Sequence, residues 1–404
     1  MLKEHGKGFI IGIAAGVFLT IGILSVGRYF GIQLYIPGSA TQQVYDKSKV
    51  IEKCIDKYYQ GEIKDEELAN GAAKGMVSAL GDKYSQYYTE EEYEELLKGI
   101  NGSYVGIGVS LRQEADLSVR VAEVSEDGPA ARAGIRENDR FLKIDGTDVS
   151  AMQLNDIVSM IKKDSNDGRT ILITVERQNE KGEKQTLDTQ VVCSTVNVIS
   201  VTSKKYGAVG YIRITEFDKE TDEQFGIAVE NMRKDDVSSL ILDVRDNGGG
   251  SLDSVINMLD ELLPEGELIT EKSKKEGDKS YRSTDKSSFD KPMIVLMNGR
   301  SASASEVFAG TLQARGAAVL VGTQSFGKGI VQAVFSLSDS CGGGIKLTTA
   351  EYFLPGGISI HKKGLTPDIE VKNEEEEEKD KAGEYDESRD HQLQRALQLA
   401  NGGQ

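Results

Sequence analysis

Apolar residues recur three and four positions apart through Ile51, Cys54, Ile55 and Tyr58, and again through Leu68, Ala72, Met76 and Leu80. That spacing puts each set on one helical face, so residues 38–100 are predicted to be a helical region, with an acidic, Tyr-rich stretch from Tyr84 to Leu97. Around Gly102 the rhythm changes to short runs punctuated by glycine. Strands are predicted at Leu117–Val124 and Ile171–Arg177, with one helix near Leu154–Lys163, giving a small β domain over 101–195. Over 196–372, buried runs at Val209–Ile214, Leu240–Val244, Met293–Met297 and Ala318–Val321 alternate with helical stretches at Asp222–Arg233 and Ser303–Arg315. Such alternation predicts an α/β layer around a largely parallel sheet. Residues 373–404 form an acidic tail and a last helix, Asp390–Ala400, with Leu393, Ala396 and Leu397 on one face. The fold class is thus multidomain, mixing α+β and α/β parts.

A different pattern occupies residues 1–37. Twenty residues from Gly8 to Gly27 carry no charge, and as a helix they would span ~30 Å, a bilayer core. Lys3 and Lys7 precede the run, which favours a cytoplasmic N-terminus and an extracytoplasmic remainder. The run is too long for a typical signal peptide and lacks an Ala-x-Ala site, so the expectation is an uncleaved, single-pass membrane anchor.

Net charge is −17, which argues against a nucleic-acid binder; nine acids and two bases at 374–387 supply −7 of it. Cys54, Cys193 and Cys341 are far apart, with no Cys-x-x-Cys spacing, and are expected to be buried small apolar side chains rather than a disulfide or metal site. His5, His361 and His391 are the only histidines, too few for a histidine-rich metal centre, and no cofactor is implied.

Gly106-Ile107-Gly108-Val109 runs directly into a strand, and glycines there let successive amides point at one anion, such as a chain-terminal carboxylate. Gly128-Pro129-Ala130-Ala131-Arg132-Ala133-Gly134-Ile135 and Asp139-Arg140-Phe141-Leu142-Lys143-Ile144-Asp145-Gly146 follow. Together they resemble PDZ domains of secreted and periplasmic proteases. The resemblance implies that an apolar protein C-terminus adds as a strand beside 106–111, against the helix at 154–163. Lys162 or Lys163 could sense its carboxylate, although basic residues at a helix C-terminus also simply suit the dipole.

Asn298 to Gly310 reads NGRSASASEVFAG, a buried strand passing into a helix through small residues. Ser303 and Glu306 make a Ser-x-x-Glu capping box, and a nucleophile at a helix N-terminus needs the same geometry. Gly322 to Gln332, GTQSFGKGIVQ, has the Gly-x-x-x-x-Gly-Lys of a P-loop, but Gly329 replaces the magnesium-binding Ser/Thr and a strand follows, which excludes a nucleotide. Ser303, Lys328 and Gln332, at spacings of 25 and 4, resemble the C-terminal processing (tail-specific) peptidases. So do Gly75-Met76, Gly81-Asp82, Tyr211–Ile214 with Phe217, Asp243-Val244-Arg245, Gly249-Gly250, Thr348–Tyr352 and Gly364–Asp368, with Gly248 as a departure where Pro is more usual. The resemblance spans residues 40–372 and implies a Ser303 nucleophile, a neutral Lys328 base oriented by Gln332, and an oxyanion hole from the amides of Gly249 and Ala304. A lysine with pKa ~10.4 is neutral about once in 2,500 at pH 7, so roughly 4–5 kcal/mol must be set against its charged form. Ser301 and Ser305 are rival nucleophiles. A Ser–His enzyme using His361 and an inactive PDZ scaffold are the alternative readings. The implied partners are protein substrates with apolar tails, the membrane, and a second copy docked through helices at 38–100 or 390–400.

Overall fold

The computed structural model describes residues 40–114, 116–162, 168–179, 181–284, 288–337, 341–373 and 386–402. The apolar run 8–27, Lys163 and most of the acidic tail lie outside them. Among the described residues no helix is long and apolar enough to cross a membrane. The chain divides into two compact units at Ala69/Asn70. In the first lie α1 (Ala40–Tyr58) and the start of α2 (Asp65–Ser78). Val50, Ile51 and Tyr58 remain exposed on α1.

In the second unit the predicted helical region contains a strand, β1 (Gln86–Tyr88), before α3 (Glu90–Asn101). Thr89 caps α3 through a reciprocal box with Glu92, and Gly102 closes it at φ 64°, a conformation that suits glycine. The PDZ-like body comprises β2 (Ser103–Gly106), β3 (Val109–Gln113), β4 (Val119–Val124), α4 (Pro129–Arg132), β5 (Arg140–Ile144), β6 (Thr147–Asp148), α5 (Leu154–Lys162), β7 (Thr170–Gln178), β8 (Lys184–Val192) and β9 (Ser194–Asn197). Its main sheet runs β3-β4-β5-β7-β8, so β3 is an edge strand. Phe141, Ile144, Ile157, Ile171 and Ile173 fill its core.

The α/β core follows: β10 (Val201–Tyr206), β11 (Val209–Ile214), α6 (Thr221–Lys234), β12 (Ser239–Asp243), α7 (Leu252–Leu262), β13 (Gly266–Ser273), β14 (Gly277–Ser283), β15 (Met293–Met297), α8 (Ala304–Ala314), β16 (Ala318–Gly322), β17 (Ile330–Ser336), β18 (Gly344–Phe353) and β19 (Ile369–Glu370). One sheet has the order β10-β11-β12-β15-β16-β19, parallel except for β10–β11. Every residue of β12 and β15 is buried, which explains the apolar runs Leu240–Leu242 and Met293–Met297. A second, antiparallel sheet joins β1, β18, β13 and β14, with β17 on β18.

α9 (His391–Ala400) lays Leu393 and Ala396 on Tyr211, Ile241 and Ile294 of the main sheet. Leu393 and Ala396 of its apolar face are therefore covered within its own chain. The cysteines also depart from expectation: Cys193 is buried, but Cys54 and Cys341 are exposed.

Candidate active site

Three loops converge at the C-terminal ends of adjacent parallel strands, where ligands of α/β sheets bind. They leave β12 through Val244–Gly250, β15 through Asn298–Ser303, and β16 through Thr323–Gly329. A cleft of about 1090 Å³ at this edge is lined by Gly249, Ser303, Ala304, Lys328, Gln332 and Tyr352, among others.

Ser303 sits at φ 56°, ψ −115°, a strained conformation for a residue with a side chain, and α8 starts at the next residue. Its neighbours are occupied elsewhere. The Ser301 hydroxyl is buried and donates to the Val244 carbonyl at 2.8 Å, and the buried Ser305 hydroxyl donates to the Asn247 carbonyl at 2.8 Å. Both pin the α8 entry to the Val244–Gly250 loop, and only Ser303 of the three lines the cleft.

Gly249 lies against this turn. A Cβ there would stand 2.7 Å from the Ala302 carbonyl and 2.9 Å from Ser303 Cβ, and its φ is +104°, so only glycine fits. The Ala304 amide, first in α8, has no partner among the described residues. The Gly249 amide instead donates to Asn247 Oδ1 at 2.8 Å.

Buried Glu306 ties the Ser303 turn to the Lys328 loop. Its carboxylate accepts the amides of Ser303 (2.9 Å), Gly327 (2.7 Å) and Lys328 (2.8 Å) and the Ser325 hydroxyl (2.5 Å). The Tyr352 hydroxyl lies between the carbonyls of Ser303 (3.0 Å) and Lys328 (2.6 Å). Gly329 packs on the His361 backbone, where a Cβ would come within 2.7 Å of the His361 nitrogen, a steric reason for glycine where a P-loop has Ser or Thr.

Burial depresses the Lys328 pKa below the ordinary lysine value. The Lys346 ammonium pushes the same way, while Asp82 and Glu306 oppose them. The Lys328 ammonium lies 5.2 Å from the centre of the Tyr84 ring, and the Gln332 side-chain amide donates to the Tyr84 carbonyl rather than to the lysine. His361 lines a separate groove, with Asp82, Phe335 and Phe353, and its buried Nδ1 has no hydrogen-bond partner among the described residues.

In the PDZ-like body a second, apolar groove lies between edge strand β3 and α5, lined by Ile107, Val109, Leu111, Leu154, Val158 and Ile161. Gly106 and Gly108 border it. The carbonyls of Ile107 and Gly108 accept the amides of Ala130 (2.8 Å) and Ser125 (3.0 Å), which fixes the loop at the groove's edge. Lys162 also lines it, but pairs with Glu95 of α3 at 3.3 Å.

Residues 208–371 match Peptidase family S41, 120–177 match the PDZ domain, and 36–92 match the N-terminal domain of the activating protease CtpB. Over 372 residues the chain is 33% identical to a carboxy-terminal-processing protease of Bartonella bacilliformis, covering 90% of this chain and 82% of that one. The chain belongs to this family of S41 peptidases.

A CtpA-like serine protease of Staphylococcus aureus strain COL is 31% identical, over 89% of this S41 peptidase and 72% of the relative. An S41 protease of Bacteroides fragilis shares the fold, with a TM-score of 0.52 at 15% identity, covering 92% of this chain and 99% of that one. The protein is thus a PDZ-containing serine peptidase.

Glu306 does more in this S41 peptidase than the capping box implied. The sequence carried the Ser-x-x-Glu spacing, but not that the same carboxylate reaches three groups across 19 to 22 residues. Glu306→Gln places an amide N–H₂ against backbone donors. It is expected to cost about 2–4 kcal/mol of stability and to lower kcat/KM roughly 100-fold. Urea denaturation run beside peptide kinetics checks this, and a variant within threefold of wild type on both counts would refute the bridging role.

Proposed function

We propose that the chain is a membrane-anchored, extracytoplasmic endopeptidase that captures apolar C-terminal tails in its PDZ groove and cleaves by a Ser–Lys mechanism. In this reading Ser303 Oγ attacks the scissile carbonyl and its proton passes to neutral Lys328. The amides of Ala304 and Gly249 stabilise the oxyanion. The lysine then returns the proton to the leaving amine, and water repeats the cycle on the acyl-enzyme.

The observation that carries the reading is the shared cleft: Ser303, Lys328 and Gln332 meet there, while the two neighbouring serines have structural bonds. The Gln332 side-chain NH2 is held by Tyr84, so the lysine amine would donate to its Oε1, and for turnover the Gly249 amide must turn from Asn247 to substrate. Such bonds commonly tighten only in the substrate complex. The open edge of β3 beside an apolar groove supports tail capture by strand addition. The uncharged run Gly8–Gly27 supports the anchor and the location.

The full chain is expected to digest an unstructured peptide with a free apolar C-terminus several-fold faster than the same peptide amidated. Equal rates would remove the PDZ from substrate choice, and failure to cleave any unstructured polypeptide would overturn the enzyme reading.

A further inference from the structure

Lys328 shares its cleft with a second lysine. Lys346, on β18, lines the same wall, is only partly exposed, and has no ion pair or hydrogen bond among the described residues. Its ammonium lies 5.3 Å from the centre of the Tyr88 ring, as that of Lys328 lies 5.2 Å from Tyr84. Both rings belong to the segment Tyr84–Tyr88, and β1 pairs Gln86 with Lys346 while β17 pairs Val334 with it from the other side. Two strands therefore fix where this cation stands.

A half-buried ammonium without a counter-ion is costly, and hydrolysis of a neutral peptide bond gives it no obvious partner. The charges facing Lys328 suggest its use. Asp82, on the loop before β1, and Glu306, on α8, both favour a protonated Lys328. Lys83 lies over the Tyr84 ring at 4.7 Å. Farther along the cleft, Glu271 and Lys279 on β13 and β14 offset one another, with Asp253 at the start of α7 and Glu95 on α3. Glu351 of β18 registers opposite Ile330. Glu216, Lys219 and Asp222 line the cleft too, and the phenols of Tyr84, Tyr88, Tyr281 and Tyr352 add to the titratable surroundings. Lys346 is the cation whose charge opposes Asp82 and Glu306 at Lys328.

We propose that Lys346 is a positioning residue that acts through its charge to keep Lys328 in the neutral form that accepts the Ser303 proton. This rests on Lys328 being the base. Removing the second charge stabilises the Lys328 ammonium, so a higher pH is needed to free the base. The burial and charge effects on Lys328 given above have this sign.

The test is kcat/KM against pH for the full chain on an unstructured peptide, comparing wild type with Lys346→Gln and Lys346→Arg. In Lys346→Gln the acid limb is expected to move up by about half to one pH unit, the size of repulsion between like charges in a half-solvated cleft. Activity then falls roughly three- to tenfold below the limb and is unchanged on the alkaline plateau. Lys346→Arg keeps the wild-type limb. An unmoved limb in Lys346→Gln, an equal loss at every pH, or an arginine variant that behaves like the glutamine one would overturn the proposal. The pH dependence of Lys328 acylation by an amine-reactive reagent, mapped by mass spectrometry in a Ser303→Ala background, reads the same proton without proteolysis. If Lys328→Ala remains active the base assignment itself fails, and the acylation curve still reports separately whether Lys346 governs that proton.

Discussion

Replacing Lys328 by alanine is expected to lower kcat/KM by roughly three to four orders of magnitude while leaving the fold intact. The side chain enters no hydrogen bond that holds the core, because the ties between its loop and α8 run through the Lys328 backbone to Glu306 and Tyr352. Ser303→Ala should cost as much, and the double variant little more, since in the proposed mechanism the two residues act as one unit. The acid limb of wild type should lie below that of a solvent-exposed lysine, because burial disfavours the ammonium. Peptide kinetics beside a thermal melt of each variant make the check. A Lys328→Ala protein within tenfold of wild type would mean the base lies elsewhere, and His361 would then be the group to replace.

Arg245→Met is expected to be the most damaging substitution for stability, at about 3–5 kcal/mol. Arg245 is 6% exposed and bridges two fully buried carboxylates, Asp243 at 2.6 Å and Asp390 at 2.8 Å. Asp243 keeps the Tyr211 hydroxyl (2.7 Å) and Arg213 (3.3 Å). Asp390 keeps the amide of Leu393 and the side chain of Asn373 among its donors. The fully buried carboxylate at the N-cap of α9 nevertheless loses its guanidinium partner. Urea denaturation measures the loss, and faster amide exchange in α9 and β12 would locate it. A loss below about 1 kcal/mol would show that α9 is held by its apolar face alone.

Much of this was legible in the sequence because the core is built from fully buried parallel strands. Val209–Ile214 and Met293–Met297 announce themselves as apolar runs, and the helix from Ala304 is marked by its Ser-x-x-Glu entry. The strand Gln86–Tyr88 was not legible, since three polar and aromatic residues after helices acquire strand geometry only by pairing with β18, more than 250 residues away. For the same reason the sequence could put Gln332 near the lysine but not foresee its bond to Tyr84. The hydroxyls of Ser301 and Ser305 look as reactive as that of Ser303 until the loop after β12 folds over them.

The backbone at Ser303 has an evolutionary consequence. At φ 56° and ψ −115° glycine would be at ease, whereas a residue bearing a side chain gives up of order 1–3 kcal/mol. Selection for durability alone would therefore favour glycine there, and a lineage released from the need to hydrolyse peptides would gain stability by the same change that silences it. In the proposed mechanism the serine persists at this turn only as long as turnover is worth more than the strain.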